Sequence, residues 1–209
     1  MLFRLAENLV NQYRRRVFAL LHDVLQPYAP VGRMLDFGAG DGWFAHAFRA
    51  NKLAKEVVAV DVRPRDRCFV PMLSYDGHRL PFADRSFELV SSIDVLHHCP
   101  DPRASLREAL RCTDRFFLIK DHTYRSRAGK LALCVLDEVG NRRFGVPSPY
   151  HYQHAFEWSS CLEEAGFELK QLIHPAACHK GLLGWSTNSL QMVALWQRSD
   201  QGSNHRCPS

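Results

Sequence analysis

Met34-Leu35-Asp36-Phe37-Gly38-Ala39-Gly40-Asp41-Gly42 is a short apolar run interrupted by a carboxylate, followed by glycines at 38, 40 and 42 and by an aromatic residue, Trp43, that opens a helical segment. Glycine has no Cβ, so this turn can reach positive φ and lets a ligand approach the main chain. It lies at the carboxyl end of a buried strand, where open α/β sheets bind ligands. A tight strand-to-helix connection would have the same look. The dinucleotide turn G-x-G-x-x-G needs its third glycine where this chain has Trp43, which speaks against pyrophosphate binding.

Outward from that turn the chain alternates short apolar runs with helical stretches, the pattern of buried parallel strands and their crossover helices. Strands are expected at 34–37, 57–60, 71–74, 87–92, 115–119, 167–173 and 190–196, with helices at 43–51, 105–111 and 158–165, the last closed by Gly166. The loop holding Gly181 and Gly184 shows no crossover helix, so the last two strands are expected to be antiparallel. Upstream, Leu2, Leu5, Leu9, Tyr13, Val17, Leu20, Leu21 and Val24 recur at helical spacing, and Pro27 and Pro30 end the helix. The other side of that helix carries Arg14, Arg15 and Arg16, read as a solvated face. The fold class is therefore α/β, a doubly wound and mostly parallel seven-stranded sheet with an antiparallel last strand and an N-terminal accessory helix. The expected organisation is one domain over 1–198, including the helix within 1–27, and a polar, disordered tail over 199–209.

Composition narrows the class. The 209 residues are 46% hydrophobic and 23% charged, which excludes disordered and fibrous chains. No apolar run approaches the roughly 18 residues of a membrane span, and the start is charged too early for a signal peptide. The net charge of +5 comes without a long Lys/Arg run, so no nucleic-acid partner is expected. Seven cysteines, an odd number without a CxxC, read as reduced thiols. A soluble cytoplasmic protein acting on a small molecule is the expectation, and the oligomeric state stays open.

Two further motifs follow in order. Val57-Val58-Ala59-Val60-Asp61 is a strand ending in a carboxylate about 20 residues past the glycine turn, where an acid takes ribose hydroxyls. Asp76-Gly77-His78-Arg79-Leu80-Pro81-Phe82-Ala83-Asp84-Arg85-Ser86-Phe87 runs into the fourth strand, which ends at Ile93-Asp94-Val95-Leu96-His97-His98. With these motifs the chain resembles the class I S-adenosylmethionine-dependent methyltransferases, and within them the group similar to the ubiquinone and menaquinone methyltransferases. The resemblance implies S-adenosylmethionine as cofactor, with Asp36, Gly38 and Gly40 bordering its methionine portion and Asp61 taking both ribose hydroxyls. It also implies that Asp76 and the Gly77 amide serve the adenine edge and that Ile93 closes the pocket.

The implied reaction is methyl transfer to an N, O or C nucleophile. Amino-group methyltransferases with an Asn/Asp-Pro-Pro-aromatic motif are disfavoured, because Ile93-Asp94-Val95-Leu96 stands there. A nicotinamide oxidoreductase and a non-catalytic cofactor-binding subunit are the alternatives. His97-His98 invites a metal, but the sequence offers no third ligand at useful spacing, so none is expected. On the acceptor side His97, Tyr150 and His154 are substrate candidates for an aromatic or heterocyclic molecule, and His122, a few residues past the fifth strand, is the candidate proton acceptor.

Overall fold

A computed structural model describes residues 2–141 and 149–199. Residues 146–148 of the segment leading to Tyr150, and the tail beyond 199, lie outside them. The elements are α1 (Leu2–Leu25), β1 (Val31–Phe37), α2 (Trp43–Ala50), β2 (Ala54–Asp61), β3 (Met72–Ser74), β4 (Phe87–Ile93) and α3 (Pro102–Cys112). They continue with β5 (Thr113–Tyr124), α4 (Arg127–Asn141), β6 (Gln153–His154), α5 (Ser159–Glu164), β7 (Phe167–Ile173), α6 (Gly181–Thr187) and β8 (Gln191–Arg198).

The sheet runs β3-β2-β1-β4-β5-β8-β7. β1 pairs in parallel with β2 and β4, β4 in parallel with β5, and β8 runs antiparallel to both β5 and β7. Order reverses between β1 and β4, the switch point at which doubly wound sheets bind ligands. Side chains alternate along each strand, and the two faces are separately covered. Leu106, Leu110, Trp158 and Leu162 pack on one face with Phe117 and Ile119 of β5. Val17, Leu21, Val24 and Phe48 pack on the other with Phe116 and Leu118. α1 therefore lies along the sheet, with Val17, Leu21, Val24 and Leu25 buried. Among the described residues no helix is long and apolar enough to cross a membrane, and the six cysteines they include are all free thiols.

Five features depart from the sequence-based expectation. β5 extends to Tyr124, because Lys120 and Asp121, which look like the polar end of a strand, are fully buried within it. A two-residue strand, β6, adds an eighth member by pairing in parallel with the end of β5. The Gly181–Gly184 loop is the helix α6, where a Cβ on Gly184 would meet the His179 carbonyl oxygen at 2.4 Å, so glycine serves packing there. α4 was not anticipated. Ser199, expected in the tail, instead donates its N–H to the Gly166 carbonyl at 2.8 Å.

Candidate functional site

The carboxyl ends of β1, β4 and β5 open into a cavity of about 570 Å³, lined also by Tyr13 and Arg14 of α1, Leu133, Leu136 and Asp137 of α4, and Leu183 of α6. Asp36, Gly38, Gly40 and Ile93 line it directly. Register puts Asp36 beside Ser91 on β4, and the Ser91 hydroxyl donates to Asp36 Oδ1 at 2.9 Å. Oδ2 is buried with no hydrogen-bond partner. Burial pushes the Asp36 carboxyl up to about 7, with the Ser91 hydrogen bond and the nearby Ala45 amide pulling the other way. A buried carboxylate short of a partner is costly unless a cation or donor arrives.

The glycines divide the work of the turn. Gly38 has φ +72°, and a Cβ there would strike the Val95 side chain at 2.4 Å. Gly40 has φ +61° and open space around its missing Cβ, so a ligand can come close to its main chain. Asp61 closes β2 and braces the turn: Oδ2 accepts from the Gly40 N–H and Oδ1 from the Arg63 N–H, each at 2.8 Å. Asp76 sits on an exposed turn, its Oδ1 accepting from the His78 and Arg79 N–H groups at 2.8 and 2.9 Å, and these bonds hold its carboxyl below the usual range. Gly77 follows with φ +83°. Asp61, Asp76 and Gly77 lie outside the set of residues lining the cavity.

α1 is fastened to the site at two points. Arg14 pairs with Asp41 of the glycine turn at 2.8 Å, its guanidinium 5.9 Å from the Trp43 ring; the solvated-face reading of Arg14 is thus corrected. The Tyr13 hydroxyl donates to Asp94 Oδ2 at 2.7 Å. The alternation of β5 sends Lys120 to the α1 face, where Nζ donates to the Tyr13 hydroxyl at 2.5 Å, to Gln191 Oε1 at 2.7 Å and to Asp94 Oδ1 in a close ion pair. Asp94 holds a left-handed φ of +56° just past β4, with its N–H on the Lys120 carbonyl at 2.8 Å. Burial opposes ionisation of Asp94, yet the Lys120 ammonium prevails and holds the carboxyl low.

Asp121 points to the opposite face. Its carboxylate accepts from the Leu96 and His122 N–H groups at 3.2 and 2.7 Å and contacts His97 Nδ1 at 2.6 Å. Against the burial of both groups, the pair holds Asp121 far below its usual range and His97 above it. The His97 ring stacks on Tyr152 at 5.4 Å and meets His122 edge-on at 4.7 Å. His122 lies inside β5 rather than beyond it, which corrects the expected position. Its Nδ1 is buried without a hydrogen-bond partner, 3.5 Å from Asp121 Oδ1 and 3.7 Å from Asp94 Oδ1. Burial and the Lys120 charge push its imidazole down, toward the neutral form.

His97 and His122 thus share the cavity, whereas Tyr150 and His154 do not line it. Tyr150 instead donates to Glu138, and His154 is exposed, edge-on to Tyr124 at 5.3 Å. Tyr13, Asp94, Lys120, Asp137 and Tyr152 were not singled out from sequence. The signals available were three consecutive ionisable residues, Lys120-Asp121-His122, running on from an apolar strand, and the polar and aromatic stretches that hold Asp137 and Tyr152.

A methyltransferase domain family matches residues 9–172. The methyltransferase YcgJ of Bacillus subtilis is 30% identical over 156 residues, 68% of this chain and 57% of that protein. A methyltransferase of Mycobacterium sp. strain KMS is 38% identical over 92 residues, 40% of this chain and 36% of that protein. The chain thus matches only about a third to a little over half of the length of these relatives. The crystal structure of the N-methyltransferase NodS from Bradyrhizobium japonicum superposes with a TM-score of 0.60 at 16% identity, covering 91% of this chain and 98% of that one, which is a likeness of fold.

Proposed function

The chain belongs to the methyltransferase domain family, and we propose that it moves the methyl group of S-adenosylmethionine to an N, O or C nucleophile of a small aromatic or heterocyclic molecule. The observation that carries this is Asp36 Oδ2, a buried carboxylate oxygen without a partner at the mouth of β1, next to the open backbone of Gly40. A ligand that brings a cation and an extended chain, and no phosphate, suits that combination. Asp36 receives the ammonium of the methionine portion, with Gly38 and Gly40 beside it. Asp61 spends two of a carboxylate's roughly four acceptor positions on the Gly40 and Arg63 amides and keeps others for ribose hydroxyls. Asp76 and Gly77 serve the adenine edge, and Ile93 closes the wall.

When bound, the cofactor supplies an electrophilic methyl group on a sulfonium that departs as a neutral thioether. The chain's own part is alignment, exclusion of water and placement of a proton. Leu133, Leu136, Leu183 and the Tyr152 ring give the far side of the cavity an apolar lining, suited to a flat acceptor. His122, kept neutral, holds its ring proton on Nδ1, the buried nitrogen that faces Asp94 and Asp121, and takes the acceptor's proton on Nε2. Asp121, which accepts from the His122 amide, fixes the backbone that carries it.

The test is transfer of label from methyl-labelled S-adenosylmethionine to separated pools of small molecules, proteins and RNA. Label is expected in the small-molecule pool. No label in any pool, or label confined to protein or RNA, contradicts the proposal.

A further inference from the structure

We propose that His97, His98 and Asp137 form a binding site for a divalent first-row transition ion, open to the cavity. The third ligand that the sequence does not reveal comes from α4, about 40 positions downstream. His97 and His98 are adjacent on a 3-10 turn, Leu96–His98, and their rings lie against each other, with centroids 4.1 Å apart and planes inclined by 45°. His97 Nε2 lies 3.9 Å and His98 Nε2 3.8 Å from Asp137 Oδ1, and the ligand atoms of all three lie within 4.8 Å of one another. Metal–nitrogen and metal–oxygen bonds of about 2.0–2.2 Å at tetrahedral angles separate ligand atoms by roughly 3.4 Å, so closing on an ion needs only small side-chain rotations.

The groups behind these ligands strengthen the assignment. His97 offers Nε2 because its other nitrogen, Nδ1, is engaged by Asp121 at 2.6 Å, the carboxylate–histidine arrangement that orients metal-bound imidazoles. The Tyr152 hydroxyl donates to Asp137 Oδ2 at 2.9 Å, which turns Oδ1 toward the histidines. His97, Asp121 and His122 also lie close together. The 2.6 Å contact between the first two leaves no room for an ion between them, so they form the support and not the site. Two histidines and one carboxylate with open positions suit zinc or a related ion. Those positions face the same cavity as Asp36 and Gly40. That a hydroxyl or carboxylate oxygen of the methyl acceptor occupies them rests on the function proposed above, whereas the binding of the ion does not.

The experiment is titration of chelator-treated, tag-free protein with Zn²⁺ by calorimetry, and with Co²⁺ by its visible absorption. One equivalent is expected, with Co²⁺ giving intense tetrahedral bands. His98→Ala and Asp137→Asn should each weaken Zn²⁺ binding at least tenfold, Asp121→Asn by about 10- to 100-fold, and His22→Ala, on an exposed histidine of α1, not at all. S-adenosylhomocysteine affinity, measured on the same samples, reports folding and the cofactor site separately. If a ligand variant fails to fold, Tyr152→Phe keeps the stacked ring, removes the hydroxyl from Asp137 and should still weaken binding. The absence of saturable uptake by the wild type overturns the site, as does undiminished affinity in the folded ligand variants or in Tyr152→Phe.

Discussion

Lys120→Met melts about 10 °C below the wild type at pH 7. Lys120 is wholly buried and its ammonium is shared by Asp94, Tyr13 and Gln191. Removing one partner of a buried pair costs about 3–5 kcal/mol, because the remaining charge keeps its desolvation penalty. We expect the lower end, since the Asp94 side chain is 24% exposed and water can reach it. One kcal/mol corresponds to roughly 2–4 °C at this chain length. The pH dependence has a definite sign. Asp94 is held low in the folded protein, so its contribution is present above its unfolded value of about 3.9 and lost as pH falls through the lower folded value. Lys120 is raised, its burial outweighed by Asp94, so its contribution is present below about 10.4 and lost as pH climbs past the folded value. The gap between wild type and variant is therefore full between about pH 4 and 10 and narrows on either side. The double variant Lys120→Met/Asp94→Asn should recover part of the loss. Thermal melts across pH decide this, and a single variant as stable as the wild type would show that the ion pair does not form.

His122→Ala lowers turnover of the labelled methyl transfer by about 10²- to 10⁴-fold, the usual contribution of a positioned acid–base group. S-adenosylhomocysteine affinity should stay within about threefold, or roughly 0.65 kcal/mol, because Nδ1 faces Asp94 and Asp121 and not the glycine turn. The folded imidazole is shifted downward, so the wild-type rate should hold to a pH below the usual histidine value of about 6.5 before it falls. The variant should lose that acidic limb. An unchanged rate from pH 6 to 9 would leave His122 a structural residue of β5.

What could be read from the sequence was local. The strand, glycine turn and helix from Met34 to Ala50 are specified by neighbouring residues, and so is the carboxylate that ends β2. The far side of the cavity is assembled from distant segments. Tyr13 and Lys120 are 107 positions apart and Tyr13 and Asp94 are 81 apart, and no periodicity announces such pairs. Lys120 and Asp121 mislead in isolation because charged residues usually mark the end of a buried strand. They stay inside because each finds opposite charge across a different face of the sheet. Nothing near His97-His98 in the sequence announces Asp137 either, which α4 brings within 3.9 Å of both rings.

Whether the cavity at Asp36 takes S-adenosylmethionine is decided by calorimetric titration with S-adenosylhomocysteine at several pH values. The free carboxyl of Asp36 is raised to about 7 by burial, so its burial in the ionised form weighs more on the free protein as pH rises, until the ligand's ammonium supplies the missing partner. Binding of one equivalent is expected, tightening from pH 6 to 8 with release of a proton and raising the melting temperature by mass action. Asp36→Asn should bind more weakly and without that pH dependence. No heat at any pH, together with a melting temperature unmoved by saturating ligand, would show that the cavity does not take this cofactor.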